Sequence, residues 1–530
     1  MSQFPPNEPY PADDPSVPNP FLPPENSIEV VELVSEGIMV PNPQRLSLAG
    51  VVAWIAVAVM VFCLVALVAM QQFSQATQVG GDATQTDLMQ VEIQTKILVG
   101  QDNLDRFLPV PEGDEYKAEL PPEVDAGCYE QRLVYASLKN ELEGPDSALD
   151  YLDSLDQRVE QLQAEEQLEN LPAEERFELT KDQQQLRDSM GELLTEYQEG
   201  EFSDSAVSQD AKELIKERLG FPGELFLLPE GTDQPALRDG LLDGAASSFA
   251  SMFFFVGIGL LAGVIGLGCC VGFPIMIYQK SLHSYFFNSP SNHNIYIQTF
   301  AIWLFGFFGS SVLLGFLELT DRESMFVQLI VFFGSLSCLL YPLLRGVTFR
   351  QLRYDIGWTL DRPVGDTGFA GLSYLATLPC LIPGIICIAV FAAIAGLFQE
   401  FHEFARQTGP GHPIQEIIAN GDWLMLVLVF VTACIAAPIV EETMFRGVLY
   451  RHLRDWSQSY ARWISVAFSA VLNGFIFAAI HPQGIAAVPV LMTLAICFSL
   501  VREWRNSLLT PMLMHGIHNT LVTCVSLLLL

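Results

Sequence analysis

The feature that most constrains this chain is a series of long runs of apolar residues. The first run covers residues 47–70 and contains no charged side chain. At 1.5 Å per residue, a helix of this length crosses a hydrocarbon core of about 30 Å. Seven more runs follow, at 248–278, 295–317, 325–344, 368–398, 423–440, 463–501 and 508–530. These runs predict an all-α, polytopic helical membrane protein.

The run at 463–501 is too long for a single span. It contains His481, Pro482 and Gly484 near its middle, and proline and glycine commonly interrupt a helix. We therefore predict two helices on either side of these residues. The chain then has about nine spans, one before residue 71 and eight after residue 245.

Acidic residues are concentrated between the first and second spans. The whole chain carries a net charge of -34, and residues 71–244 contain 40 Asp and Glu against 13 Lys and Arg. Apolar residues recur there at three-to-four spacing, as in Tyr151, Leu152, Leu155, Val159 and Leu162, which predicts a helical hairpin or small bundle. A solvated acidic helix pair is the simplest interpretation, and a surface for a protein partner is the alternative. The acidity excludes electrostatic support for nucleic-acid binding.

The remaining composition sets limits on the other regions. Residues 1–46 are proline-rich and polar, which predicts a disordered tail. Nine of the ten cysteines lie in apolar runs, so Cys128 stands alone in the acidic segment. A disulfide framework and a cysteine-ligated zinc site are therefore not expected.

Arginine-rich connections indicate the orientation. The stretches 345–362, 446–462 and 502–505 are rich in arginine, whereas 319–324 and 399–422 are not. Basic loops face the cytoplasm in most multi-pass proteins. We therefore expect a cell-membrane protein, in a bacterium the inner membrane, with a cytoplasmic N-terminus and an acidic domain outside.

Charged residues follow the apolar run ACIAAPIV, in the sequence EETMFRGVLY. Charges within or beside a bilayer need partners or a water-filled cavity. Glu442 and Arg446 are four residues apart and can pair on one helix face, while Glu441 is rotated by about 100° and stays available. We assign the chemical role to Glu441 and a supporting role to Glu442 and Arg446. A charged helix end at the interface is an equally weighted alternative.

Two histidine-containing stretches accompany this element. In FIFAAIHPQG, Phe477 and His481 are four residues apart, and in LMHGIHNTLV, His515 and Asn519 are one turn apart on one helix face. An imidazole and a carboxamide that project together can donate two hydrogen bonds to a developing oxyanion. Each stretch alone also fits a hydrogen-bonded core residue or a polar contact between helices.

Together these residues supply what amide hydrolysis requires. Glu441 and His481 can activate a water as general base, while His515 and Asn519 stabilise the tetrahedral intermediate. Alternatively, Glu441, His481 and His515 hold one divalent metal such as zinc, which lowers the pKa of its bound water. The spacing does not choose between the two.

The ordered motifs resemble the CPBP family of intramembrane peptidases, the CAAX-processing and bacteriocin-immunity group. EETMFR is similar to its EExxxR element, FAAIH to FxxxH and HGIHN to HxxxN, within about residues 370–530. The resemblance implies about eight helices around a membrane-embedded cavity. It also implies peptide-bond hydrolysis of a membrane-associated protein or peptide, with water activated by Glu441 and His481 and the oxyanion held by His515 and Asn519. Both metal-dependent and glutamate-based mechanisms are argued for the family.

Two further expectations concern depth and the competing class of function. Hydropathy places Glu441 and His515 near the cytoplasmic side but His481 near the outer side, so we expect a broken helix at 463–501 that brings His481 to mid-membrane. An interfacial helix is the alternative. A non-catalytic permease-like or assembly factor that binds partners through the acidic outer domain is the competing function.

Overall fold

The computed structural model describes residues 47–77, 85–104, 129–168, 179–200, 206–279, 286, 294–317, 319–395 and 423–529. Every regular element within these residues is a helix. This confirms the all-α prediction. The proline-rich tail (1–46), Cys128 and the connection at 399–422 lie outside the described residues.

The helices fall into two groups along the chain. Those of the acidic segment are α2 (Gln85–Asp102), α3 (Tyr129–Glu143), α4 (Pro145–Leu168), α5 (Lys181–Glu199), α6 (Gln209–Leu219) and α7 (Phe221–Phe226). The apolar helices are α1 (Leu48–Thr77), α8 (Pro235–Tyr278), α9 (Asn294–Leu314), α10 (Asp321–Ser335), α11 (Leu340–Leu344), α13 (Pro363–Ala395), α14 (Trp423–Trp456), α15 (Arg462–Ala479), α16 (Val488–Arg505) and α17 (Leu509–Leu529), with the short polar α12 (Phe349–Ile356) between α11 and α13.

Eight helical segments of the described chain are long and apolar enough to cross a membrane. They correspond to eight of the nine predicted spans. The ninth prediction corresponds to α17, a 21-residue helix that is not among the eight and that carries His515, His518 and Asn519. The protein is therefore a multi-pass helical membrane protein.

The acidic segment is a small bundle of the six described helices α2–α7, which is the second of the two arrangements that the sequence predicted. Its buried core includes Leu152 and Leu155 of α4, Met190 of α5 and Ile215 of α6. The stripe predicted on α4 thus faces the core, although the side chain of Leu162 is outside the described set.

The boundary between the bundle and the membrane helices differs from the prediction. Helix α8 begins at Pro235 and continues without interruption to Tyr278 over 44 residues, whereas hydropathy predicted a span from residue 248. Its first turns pack Leu242 and Ala245 into a second buried cluster of the bundle, together with Val99 and Phe221. Its later turns contact α13, where a Cβ at Gly266 would clash with the carbonyl oxygen of Leu375. One helix therefore belongs to both regions.

The prediction of a basic loop at 446–462 is wrong, because most of these residues are helical. Helix α14 continues to Trp456, and Arg446, Arg451 and Arg454 are buried. The Arg454 guanidinium donates to Glu503 at 2.9 Å, and Arg451 donates to Asp455 at 2.9 Å.

The apolar runs end where charged residues begin, but here the buried carboxylates allow the helix to continue. The arginines that remain exposed in the predicted basic connections include Arg345, Arg350, Arg353 and Arg362. The positive-inside argument therefore rests mainly on the connection between α11 and α13.

The predicted break in 463–501 is present. Helix α15 ends at Ala479, a 3-10 turn covers Ile485–Ala487, and α16 begins at Val488. Gly484 has φ +84, a left-handed conformation that glycine adopts readily. The two helices then pack closely. A Cβ atom added at Gly474 would lie only 3.0 Å from the carbonyl oxygen of Met492. This return places His481 at the end of a span.

The first span is docked against the membrane helices. Its Ala53 and Val57 belong to the same buried core as Val440 and Met444 of α14. The indole Nε1 of Trp54 donates a 3.0 Å hydrogen bond to Nε2 of His452. Helix α1 is therefore an integrated part of the membrane region.

Candidate active site

The site is built on α14, where two π-helical stretches flank a short α-helical piece. The π-helical stretches are Thr432–Ala436 and Thr443–Leu449, and the piece between them, Ala437–Glu442, carries both glutamates. Such π-helical turns occur often at functional sites because they leave backbone groups outside the regular hydrogen-bond ladder.

Asn519 uses one of these backbone groups. In the first π-helical stretch the N–H of Ala437 donates to the carbonyl of Thr432 rather than to Ala433. Pro438 has no N–H, so the Ala433 carbonyl has no helical donor from the following turn. The side-chain Nδ2 of Asn519 donates to it at 2.7 Å. Helix α17 is thereby positioned against α14, and the amide keeps one N–H for another acceptor.

Glu442 connects two cationic or polar partners in the protein interior. The predicted pair with Arg446 is present at 2.9 Å, with both side chains fully buried. The same Oε1 atom lies 2.9 Å from Nδ1 of His515. Arg446 also donates to the carbonyl of Ala495 on α16 at 3.2 Å. Glu442 and Arg446 thus tie α14, α16 and α17 together.

Glu441 projects to the side that the spacing predicted. Its Oε2 atom is 3.7 Å from Nε2 of His481 and 4.0 Å from Nε2 of His515. This Oε2 atom is buried and has no hydrogen-bond partner. The structure therefore brings Glu441, His481 and His515 together, far inside the 10 Å separation beyond which a shared catalytic role fails.

The hydrogen bonds on the other ring nitrogens determine what each imidazole presents to Glu441. Nδ1 of His481 lies 2.5 Å from the carbonyl of Phe477, and this carbonyl can only accept. Nδ1 of His515 likewise donates to the Glu442 carboxylate. In the neutral rings, both Nε2 atoms are then acceptors that face the Glu441 carboxylate. Separations of 3.7 and 4.0 Å suit a water between these groups rather than direct hydrogen bonds.

Aromatic rings hold the imidazoles and the guanidinium in place. The Phe477 ring centroid is 4.1 Å from that of His481, and Phe498 is 5.7 Å from His515. The Arg446 guanidinium lies 4.5 Å from the Phe477 centroid, within the range of a cation–π interaction. Phe477 therefore supports His481 through both its ring and its carbonyl.

The depth of His481 has a different explanation from the one predicted. Hydropathy placed Glu441 at the inner end of a span that ends at residue 440. The helix continues to Trp456, so Glu441 lies in the middle of the 34-residue segment Trp423–Trp456. His481 lies just beyond the end of the 18-residue helix α15. The two residues meet because α14 is longer than its apolar run, in addition to the break after α15.

A metal ion held by Glu441, His481 and His515 fits the chemistry of these donors but not their spacing. Ligands of a tetrahedral zinc ion at about 2.0–2.1 Å lie roughly 3.4 Å apart, less than the separations from Glu441. Within the part of the chain that the structure describes, no group of three or more His, Cys, Asp and Glu side chains is arranged to hold a metal ion. We therefore derive no step through a metal.

Comparison with known proteins identifies the same part of the chain. Residues 423–521 match the family model of the Type II CAAX prenyl endopeptidase Rce1-like proteins. This Rce1-like segment begins with α14 and includes Glu441, His481, His515 and Asn519. At the level of the family, the match supports a CAAX-type endopeptidase of the membrane. No curated protein and no solved structure matched the chain.

Some contacts of the Rce1-like segment were missed from the sequence. The carbonyls of Ala433 and Ala495 are backbone acceptors, and alanine side chains give no signal of that role. Trp358, on the connection before α13, donates from Nε1 to the hydroxyl of Thr443 at 3.0 Å. Phe498 contacts His515 from a helix that has a uniform apolar pattern. Only the proline at 438 was a visible sign of an irregular helix.

Proposed function

We propose that the chain is an intramembrane endopeptidase that hydrolyses a peptide bond of a membrane-associated protein or peptide. The observation that carries the proposal is the convergence of the His481 and His515 Nε2 atoms on Oε2 of Glu441, at 3.7 and 4.0 Å. Charged and polar side chains inside a membrane protein mark functional sites because they are costly to bury. The match of residues 423–521 to the Rce1-like family supports the same function.

The proposed reaction begins with a water held between Glu441 and the two imidazoles. Nε2 of His481 accepts a hydrogen bond from this water, and Glu441 takes its other proton as the water oxygen attacks the substrate carbonyl carbon. The carbonyl oxygen becomes an oxyanion, to which the remaining N–H of Asn519 donates. The carbon–nitrogen bond then breaks, and the leaving amine receives the proton.

His515 donates to the oxyanion only when its ring carries two protons, because Nδ1–H is already committed to Glu442. Glu441, Glu442 and Arg446 together carry one net negative charge when all are ionised. The proton that Glu441 takes from the water passes to Nε2 of His515, 4.0 Å from Oε2, where it neutralises this charge until the leaving amine receives it. Glu442 orients the ring through Nδ1 and stabilises the imidazolium, as the carboxylate does in a catalytic triad.

The proposal is tested with purified full-length protein on a quenched-fluorescent peptide library in detergent. We expect Glu441→Gln and His481→Gln to lose cleavage by at least a hundredfold, since each removes a group that activates water. His518→Gln is the matched control. His518 lies on the same helix as His515, but its Nδ1 atom is 3.2 Å from the Tyr374 hydroxyl instead of facing Glu441. Wild-type cleavage that survives in Glu441→Gln contradicts the proposal.

Metal dependence is tested in the same assay. The donor spacing predicts that treatment with EDTA or 1,10-phenanthroline leaves cleavage unchanged. Loss of cleavage on chelation, restored by zinc, would show that Glu441, His481 and His515 contract around an ion.

A non-catalytic partner-binding factor is the competing function, and the acidic bundle is the observation that favours it. In that case the site is a polar packing core. Glu441→Gln then changes thermal stability, and the wild-type protein cleaves none of the peptides. We further propose that the N-terminus is cytoplasmic and the bundle lies outside a cell membrane, where it contacts a protein partner. Labelling of single cysteines placed at Arg345 and Asp210 with a membrane-impermeant maleimide tests the orientation, with Asp210 labelled from outside.

A further inference from the structure

An apolar cavity of about 440 Å³ opens beside His481. Its wall includes His481 and the residues that follow it in the break between α15 and α16, among them Gly484 and Ile485. Among the described residues that line it, His481 is the only one whose side chain forms strong hydrogen bonds. The remaining lining residues are aliphatic or small, with one phenylalanine and one cysteine. The cavity has a volume within the range of ordinary ligand sites.

Helix α1 forms one side of this cavity through Val65 and Val68. This helix lies outside residues 423–521, the part of the chain that matches the endopeptidase family. Its position is fixed at the other end by the hydrogen bond between Trp54 and His452.

The register of α1 against α14 agrees with this placement. Val65 follows Trp54 by eleven residues, and Glu441 precedes His452 by eleven residues. Each interval spans roughly 16 Å of helix. Two antiparallel helices that meet at Trp54 and His452 therefore bring Val65 to the level of Glu441.

We propose that Val65 and Val68 determine substrate specificity, by forming the wall of a pocket that accepts an apolar side chain of the substrate next to the scissile bond. The proposal rests on the proposed function, because His481 is both a wall of the cavity and a group that activates water. A polar side chain in this cavity would lose its hydrogen bonds with water and gain few in return. An apolar side chain loses nothing and fills the space.

The test compares cleavage of two matched quenched-fluorescent peptides that carry Leu or Ala beside the scissile bond. Val65→Phe and Val68→Phe narrow the pocket, and we expect the ratio of kcat/KM for Leu over Ala to fall about tenfold in each. A third peptide carries Phe at the same position, and Val65→Ala is expected to raise its kcat/KM relative to that of the Leu peptide. The matched control is Val59→Phe, a change at an exposed valine of the same helix, which should leave the ratio within twofold. A ratio is independent of the fraction of folded enzyme.

A second measurement does not depend on catalysis. The Leu position is replaced by a photoreactive benzophenone side chain, and the peptide is cross-linked to the Glu441→Gln protein. We expect labels on residues 65–68 or 484–489, reduced in the Val65→Phe background. If wild type cleaves the peptides but Val65→Phe and Val59→Phe have equal ratios, the pocket assignment is overturned while the peptidase stands. If no cleavage occurs but the cross-links appear, the peptidase fails and the binding site stands. The cross-linking is repeated with a long-chain lipid or with excess unlabelled peptide as competitor. If the lipid abolishes the cross-links and the peptide does not, the cavity is a lipid site and the assignment is overturned.

Discussion

Replacement of Arg446 by leucine tests whether the buried charges are held together as described. Arg446 has no exposed surface, donates to Glu442 at 2.9 Å and to the Ala495 carbonyl at 3.2 Å. In Arg446→Leu, the buried Glu442 carboxylate keeps only the His515 ring as a partner. Removal of one member of a buried ion pair costs about 3–5 kcal/mol because the other charge stays buried. Ordinary hydrogen bonds between membrane helices contribute only about 0.6 kcal/mol.

The two magnitudes are far enough apart for a decisive measurement. We expect Arg446→Leu to lower the free energy of unfolding by about 3–5 kcal/mol, measured by SDS titration of the full-length protein in mixed micelles. The double variant Glu442→Gln/Arg446→Leu removes both charges and keeps an acceptor for His515. It should lose less than about 2 kcal/mol, since neutral replacement of a buried pair is often tolerated. Arg345→Leu, at an exposed arginine, should stay within about 0.5 kcal/mol of wild type.

Either of two results would contradict the charge pairing of Glu442 with Arg446. If the free energy of unfolding of Arg446→Leu is within about 1 kcal/mol of the wild-type value, Glu442 is not left with an unpaired charge. A double variant as unstable as Arg446→Leu alone would mean that the loss comes from packing against Phe477, not from charge.

Two other substitutions probe the oxyanion donor and the bundle. Asn519→Ala should lower kcat by a factor of about 10²–10³. The control Asn473→Ala removes a buried 3.0 Å hydrogen bond to Ser499 and should lower stability but leave kcat unchanged. Equal kcat values in the two variants would remove Asn519 from the mechanism. Burial raises the pKa of Glu141 above 4.5, against the opposing effect of Arg238, so the native state holds this proton to higher pH than the unfolded state does and loses stability as pH rises through the raised pKa. Glu141→Gln removes that dependence. Amide exchange of α3, corrected for intrinsic rates, should therefore show the wild type losing protection relative to the variant as the pH rises above about 4.5; parallel profiles would contradict the assignment.

The sequence could predict those parts of the site that depend on helical spacing. Glu442 and Arg446 are four residues apart and form the expected pair, and the neighbouring Glu441 faces away from it. The break beside Pro482 was also predictable, because the apolar run is longer than one span. These features need only local geometry, which residue type and spacing determine.

Features that depend on distant parts of the chain could not be predicted. The pattern after residue 445 predicts a basic loop, yet Arg451 and Arg454 are buried. Arg451 pairs with Asp355 and Asp455. Arg454 pairs with Glu503. A hydropathy scale assigns each arginine a fixed cost and takes no account of its partners. The contact between α1 and α14 is of the same kind, since nothing in residues 47–70 indicates His452.

The uninterrupted course of α8 has a mechanical consequence. From Pro235 to Gly266 the helix extends roughly 47 Å, and at Gly266 its backbone touches Leu375 of α13. Helix α13 in turn contributes Cys387 and Ile388 to the cavity wall. A tilt of the acidic bundle would therefore be transmitted along α8 to the residues of α13 that pack against it. The acidic bundle is thus joined through one continuous helix to the helix that lines the pocket.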